Sequence, residues 1–144
     1  MTDKALKMLG LMRRANAIEI GADRSADAAR AGKARVLALA SDAGENAAKK
    51  AEYALSGKNA LKLELPFSRK ELSESLGVGD CTMAAVTDIG FAEAFVKLLS
   101  ADDPERYGDA AQELERRHEK MQRRKKEKGT KGQAKTIGKR RTNI

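Results

Sequence analysis

The sequence predicts an α/β fold: a three-layer α/β/α sandwich with a four-stranded mixed sheet, followed by a C-terminal basic helix and a disordered tail. Three observations lead there. Short apolar runs of strand length recur along the chain. Four such strands alternate with five amphipathic helical segments, a pattern that places helices on both faces of one sheet. The apolar residues are also mostly small. With no Trp and only 3% aromatics, alanine and leucine must form the core, which favours helices packed close against a sheet.

Each element has a local reason. Thr2 can cap a first helix, with Leu6, Leu9, Leu11 and Met12 as its apolar stripe and Arg13-Arg14 at its end. Residues 17–20 form a short strand. Gly21 permits a tight bend because it lacks a Cβ. Asp23 is placed to cap the next helix, and Gly32 suits the left-handed residue beyond it. Val36-Leu-Ala-Leu-Ala40 is a buried strand. A turn over residues 41–44 leads to a helix over 45–55. Its inner face is Ala47, Ala48, Ala51, Ala54 and Leu55; Lys49, Lys50 and Lys58 stay in water.

Leu61, Leu63 and Leu65 alternate with polar residues, as in a half-buried strand. Ser68 and Glu71 spell a capping box, Leu72 and Leu76 follow at helical spacing, and Gly77 stops that helix. Residues 77–81 are a loop and residues 82–87 another buried strand. Asp88 caps a helix with Phe91, Ala94, Phe95 and Leu98 at i, i+3, i+4 and i+7. Pro104 after Asp103 starts a further helix. Its stripe of Tyr107, Ala110, Ala111 and Leu114 can dock back on the domain. The expected organisation is a domain over 1–100, a charged helix over 101–128 and a basic disordered tail over 129–144.

Charge is unevenly spread. The net charge is +8, yet residues 116–144 carry 13 Lys/Arg against 2 Glu, or +11, and residues 1–115 sum to −3. Polyanion affinity therefore belongs to the tail, with Arg116, Arg117, Arg123, Arg124, Lys125 and Lys126 as its RNA-binding candidates. Aromatics are scarce there, so base stacking is not its mode.

Several classes are disfavoured. Cys81 is the only cysteine, which excludes an intrachain disulfide or a cysteine-based zinc site. Cys81 has no base partner, and the sole histidine, His118, is expected in the charged tail outside any fixed site. Asp42 and Asp88 follow strand ends, where helix capping is their simpler role. No catalytic residue, metal site, cofactor or small-molecule substrate is expected. No apolar run approaches the roughly 18 residues of a membrane span. No leader pattern is seen, and a cytoplasmic location is expected.

Read in order, Leu9-Gly-Leu-Met-Arg-Arg-Ala15, Gly21, Ala28, Gly32-Lys-Ala-Arg-Val36, Leu39-Ala-Ser-Asp42, Glu71-Leu72, Leu76-Gly77 and Met83-Ala-Ala-Val-Thr-Asp88-x-Gly-Phe91 resemble the ribosomal L-seven-Ae and L-thirty-e family, closest to its small bacterial YlxQ-like type. The resemblance covers about residues 4–99. It implies the same sandwich and the binding of kink-turn RNA. In that family the turn opening the second helix reads sheared G·A pairs with Asn, Glu and Lys. The loop before the last strand packs apolar side chains on a splayed base. Basic residues and helix N-termini hold phosphates.

This chain carries Asp23, Arg24 and Asp27 at the three reading positions, with the charge pair reversed as Arg24 to Asp27. Arg24 can grip a guanine edge. The second element is kept in form as Leu76-Gly-Val-Gly-Asp-Cys-Thr82, with Val78 as its apolar tip. The RNA-binding residues implied are Arg13, Arg14, Gly21, Ala22, Asp23, Arg24, Asp27, Ser41, Leu76, Gly77, Val78, Gly79 and Thr82. The partner implied is structured RNA, ribosomal RNA included. Two other readings stay open: a protein-interaction module that has lost kink-turn recognition, and an accessory domain of an RNA-modifying enzyme.

Overall fold

In the computed structural model the chain runs through α1 (Asp3–Arg14), β1 (Ile18–Ile20), α2 (Ala22–Arg30), β2 (Val36–Leu39), α3 (Glu45–Leu55), β3 (Leu61–Glu64), α4 (Arg69–Leu76), β4 (Met83–Val86), α5 (Ile89–Asp102) and α6 (Pro104–Thr142). The structure describes the backbone of residues 3–142 and the side chains of residues 3–126. The cap expected from Thr2 lies outside that range.

The strands form one mixed sheet in the order β1-β4-β2-β3. β4 is antiparallel to both neighbours, with Val86 opposite Ile18 and Val36, and β2 is parallel to β3. The period of two along each strand divides the core. Ile18, Val36, Ala38, Ala84 and Val86 join Leu9, Met12, Leu72, Phe95 and Leu99 on the face covered by α1, α4 and α5. Leu37, Leu39, Met83 and Ala85 face α2 and α3, whose buried residues are Ala26, Ala28, Ala29, Ala47, Ala51 and Ala54. That second layer is built almost wholly of methyl groups, so two helices lie tight against the sheet with little volume between.

Local signals hold in most places. Ser68 and Glu71 form the reciprocal capping box, with Ser68 Oγ accepting from the Glu71 amide at 3.1 Å and Glu71 Oε1 from the Ser68 amide at 3.1 Å. Gly77 closes α4 in the left-handed region at φ 69°, and Asp88 caps α5 by accepting from the Phe91 amide at 2.9 Å. Asp103 does the same for α6 through the Arg106 amide at 3.2 Å.

Other expectations need correction. Leu11 is 48% exposed, and α1 buries Ala5, Leu9 and Met12 instead, at spacings of four and three. The deeply buried residues of α5 are Ile89, Ala92, Phe95, Val96 and Leu99; Phe91, Ala94 and Leu98 are only half-buried. The apolar stripe was misplaced because α5 has two partners, the sheet on one side and α6 on the other. The backbone of α6 continues as helix to Thr142, where disorder was expected from residue 129. An absent apolar stripe argues against docking, not against helix; Lys, Arg, Gln and Ala favour the helix, while Gly129, Gly132 and Gly138 weigh against it. Residues 143–144 lie outside the described range.

α6 docks as its stripe implies. Tyr107, Ala111 and Leu114 are buried, and Tyr107 Oη donates to the Glu64 carbonyl at 2.5 Å. Further on, Arg117 Nη1 donates to the Asn59 carbonyl at 2.7 Å. Glu64 ends β3 and Asn59 precedes it. α6 therefore runs back along the domain, from the C-terminal end of β3 to its N-terminal end.

Leu114 is fully buried where α6 meets the core. Leu114→Ala is expected to cost about 2–5 kcal/mol. In urea unfolding this reads as a lower midpoint with an unchanged slope.

Candidate nucleic-acid interface

β4 opposes β1 and β2 in direction, so its N-terminal end lies beside their C-terminal ends. The turns after β1, β2 and β3 and the loop before β4 therefore share one end of the sheet. Hydrogen bonds tie them together. The Gly21 amide donates to the Met83 carbonyl at 2.9 Å, the Ala40 amide to the Thr82 carbonyl at 2.9 Å and the Ser41 amide to the Phe67 carbonyl at 2.8 Å.

At this end two helices start without a side-chain cap. The N-cap of α2 is Gly21, with φ 100° and ψ 159°; that of α3 is Gly44, with φ 91° and ψ 168°. Neither backbone shape suits a residue with a Cβ. The amides of Ala22, Asp23 and Arg24, and those of Glu45, Asn46 and Ala47, find no partner among the described residues. α4, α5 and α6 are capped by Ser68, Asp88 and Asp103. Orphan amides and the positive end of the helix dipole make each bare start a place for an anion.

Asp23 does not cap α2. It lies inside the helix and its carboxylate accepts from Lys50 Nζ on α3; that bond holds its carboxyl below the usual range. The pair bridges two helices whose N-termini sit side by side. Asp27 pairs with Arg30 at 2.5 Å and not with Arg24. Arg24 is exposed and has no partner among the described residues, because one turn toward the C-terminus the acid finds a closer cation. Asp42 caps, but not the helix after it. Its Oδ1 accepts from the Arg69 amide at 2.7 Å and closes the first turn of α4.

The loop from Leu76 to Thr82 is held at both ends. Arg13 Nη1 donates to the Leu76 carbonyl and to the Gly77 carbonyl, the latter at 3.2 Å. Arg13, expected to reach phosphate, thus serves the loop instead. Gly77 is favoured here by its φ of 69°, and a Cβ would also push the flexible tip of Arg13, which lies 2.6 Å from where it would sit. Arg69 Nη2 grips Asp80 at 2.8 Å, which holds the Asp80 carboxyl low and the Arg69 guanidinium high. Val78 is half-buried against the core, so it is less of a projecting tip than expected. Gly79 is exposed. Ala22 and Thr82 are half-buried, while Ser41 and Arg14 are exposed.

Cys81 is buried, its thiol pushed up by burial, and its Sγ lies 3.2 Å from the Met83 carbonyl. That is an inert thiol. His118 is not outside a fixed site. It sits half-buried between α6 and α5, with Nδ1 on the Glu93 carboxylate and Nε2 3.3 Å from Gln122. Sequence spacing carried no sign of it, because Glu93 is 25 residues away on another helix.

In the tail, Arg116 and Arg117 are engaged with Glu113 at 2.6 and 2.9 Å. Arg123, Arg124, Lys125 and Lys126 are exposed. Lys50, Arg69 and Asp80, which shape the edge, escaped the sequence reading because each acts through a partner distant in the chain.

No family model and no curated protein matches this chain. Solved structures do match. A protein with unknown function from Bacillus halodurans C shares 26% identity at a TM-score of 0.61, over 67% of this chain and 97% of that one. A Giardia lamblia 15.5kD RNA binding protein shares 16% identity at a TM-score of 0.53, over 67% of this chain and 82% of that one. The fold of this chain is the one these structures share.

Glu93 lies below its ordinary 4.5 because Lys97 donates to it, burial opposing and His118 adding to the effect. A depressed carboxyl stabilises the fold above its unfolded value and loses that contribution as pH falls through its folded value. On acidification from neutral pH the wild type should therefore lose unfolding free energy faster than Glu93→Gln, as read by urea titrations across the carboxylate range.

Proposed function

We propose that this chain is a non-enzymatic, cytoplasmic RNA-binding protein of the L-seven-Ae type that takes kink-turn-like RNA, ribosomal or translation-associated, at the glycine-opened end of its sheet. One observation carries the reading: α2 and α3 start bare at the same end, while the other helices beyond α1 are capped. Two adjacent sets of free amides suit two phosphates brought close by a bend in the backbone. The RNA-binding Giardia neighbour shares the fold.

The roles follow from the geometry. Arg24 stands exposed in the first turn of α2, uncommitted among the described residues and long enough to reach a base edge or a phosphate. Three acids on this edge are neutralised in place, Asp23 by Lys50, Asp27 by Arg30 and Asp80 by Arg69, while Asp42 and Glu45 pair with no cation among the described residues. The Leu76–Thr82 loop, held by Arg13 and Arg69, offers Gly79 and the exposed part of Val78 as a surface for an unstacked base. Preordered amides and a clamped loop reduce what must be immobilised on binding.

The tail adds a second contribution. Its cations leave the domain past the opposite end of the sheet, and α5 alone, 14 residues, is about 21 Å long. That exceeds the roughly 8 Å Debye length at physiological salt, so edge and tail act on an RNA separately.

Mobility shifts with a kink-turn duplex and the same duplex without its bulge test both parts. The full chain should prefer the kinked duplex, and Arg24→Glu should weaken that binding by about tenfold or more. Removing residues 123–144 should flatten the salt dependence and keep the preference. Equal affinity for both duplexes would end the kink-turn reading, and an unchanged salt slope would end the role of the tail.

A further inference from the structure

The end of the sheet away from the turns holds a second arrangement that the RNA reading does not use. A hollow of about 210 Å³ opens between the C-terminal end of α2, the loop from α3 to β3 and the flank of α6. Its lining includes Gly32, Arg35, Gly57, Lys58, Asn59 and Arg117, and no carboxylate lines it. The geometry points to a phosphate-binding pocket here, formed by Arg35, Lys58 and Arg117 and completed only when α6 docks.

Arg35 is the centre of the case. Its backbone is locked into the sheet from both sides, with its amide on the Val86 carbonyl at 2.7 Å and its carbonyl receiving the Leu61 amide at 3.1 Å. Its side chain is therefore delivered to this place by β2. The guanidinium Nε is buried and has no hydrogen-bond partner among the described residues. A buried donor left unmade carries a penalty that native proteins rarely accept without a ligand or water to relieve it. A planar guanidinium is also the group best matched to phosphate oxygens.

The other two cations are placed differently. Lys58 is exposed at the rim, and its ammonium has no partner among the described residues. Arg117 is pinned, with Nη1 on the Asn59 carbonyl at 2.7 Å and Nε on Glu113 at 2.9 Å, leaving Nη2 uncommitted among the described residues. Glu113 is itself shared with Arg116 and held down at about 2, so it remains an anion that both arginines already satisfy.

Charge decides what this hollow can take. α2 and α3 end here, and each helix C-terminus contributes about half a negative charge. Arg117 is balanced by Glu113, but Arg35 and Lys58, unpaired among the described residues, still outweigh that. Neither helix end supplies a bond to Arg35, so neutralising the dipoles does not account for the bare Nε. The volume equals that of about seven waters, enough for a phosphate and part of an attached sugar. The site also lies where the basic stretch of α6 leaves the domain, so the phosphodiester of an RNA strand following Arg123 and Arg124 could enter it as readily as inorganic phosphate.

The test uses the full chain, with Arg35→Gln, Lys58→Ala and, as a charge control outside both sites, Lys7→Ala. Inorganic phosphate and a short single-stranded RNA lacking terminal phosphates are titrated by calorimetry, with chloride holding ionic strength constant. Wild type should bind at least one probe, and Arg35→Gln should weaken that binding about tenfold, with Lys58→Ala weakening it less. Lys7→Ala, which removes one exposed cation on α1 outside both sites, should leave inorganic phosphate binding unchanged, so the loss in the pocket variants is not one of net charge.

Loss of phosphate binding alone assigns free phosphate as the source, and loss of RNA binding alone assigns the phosphodiester. Should Arg35→Gln fail to fold by circular dichroism, Lys58→Ala decides, since its side chain is at the rim. Binding of neither probe at constant ionic strength, or binding that both pocket variants leave untouched, overturns the proposal.

Discussion

The direction of β4 governs where this protein can act. It lies between β1 and β2 and runs against both, hydrogen-bonded on each side with Val86 opposite Ile18 and Val36. That arrangement gathers the exits of β1 and β2 and the entry of β4 at one end, and sends the start of β2 and the exit of β4 to the other. Parallel pairing of β4 would have left the turns after β1 and β2 together and moved the Leu76–Thr82 loop to the other end. The strand can occupy the middle because Met83, Ala84, Ala85 and Val86 are all apolar and all buried, so either face serves as core.

Around that strand the two faces differ in material. One face is filled by leucine, methionine and phenylalanine from α1, α4 and α5. The other is filled by alanines from α2 and α3. Small side chains bring α2 and α3 close to the sheet and to each other. Both start at the same end of the sheet, and Asp23 in the first turn of α2 pairs with Lys50 in the second turn of α3. An exposed pair of this kind adds little stability; it ties the first turn of α2 to the body of α3. The bare amides at Gly21 and Gly44 thus result from methyl-on-sheet packing as much as from the glycines.

α6 makes the molecule two-ended. Tyr107 fastens its start near the turn edge, His118 and Arg117 fasten its middle at the far end, and its cations leave from there. A basic segment whose place the sequence leaves open is carried away from the turns by the antiparallel packing of α5 and α6. Its Arg117 shares a hollow with Arg35 and Lys58 at that end instead. Charge density in a sequence says how strongly a polyanion is attracted, but the direction of one helix says where.

The sequence by itself determined the alternation of strands and helices, the sandwich they form, the capping box at Ser68 and Glu71, the cap at Asp88 and the stop at Gly77. Each of these is a short-range signal, written within one helical turn or one strand. Tertiary structure alone decided that Asp23 meets Lys50 and Asp42 closes α4, each 27 residues away in the chain. It also decided that Arg13 is spent on a loop 63 residues on, that His118 is fixed by Glu93, and that Arg35 faces a hollow with its Nε unpaired. Those outcomes depend on which strand ends become neighbours and which helices lie against each other, and no local pattern in a chain encodes that.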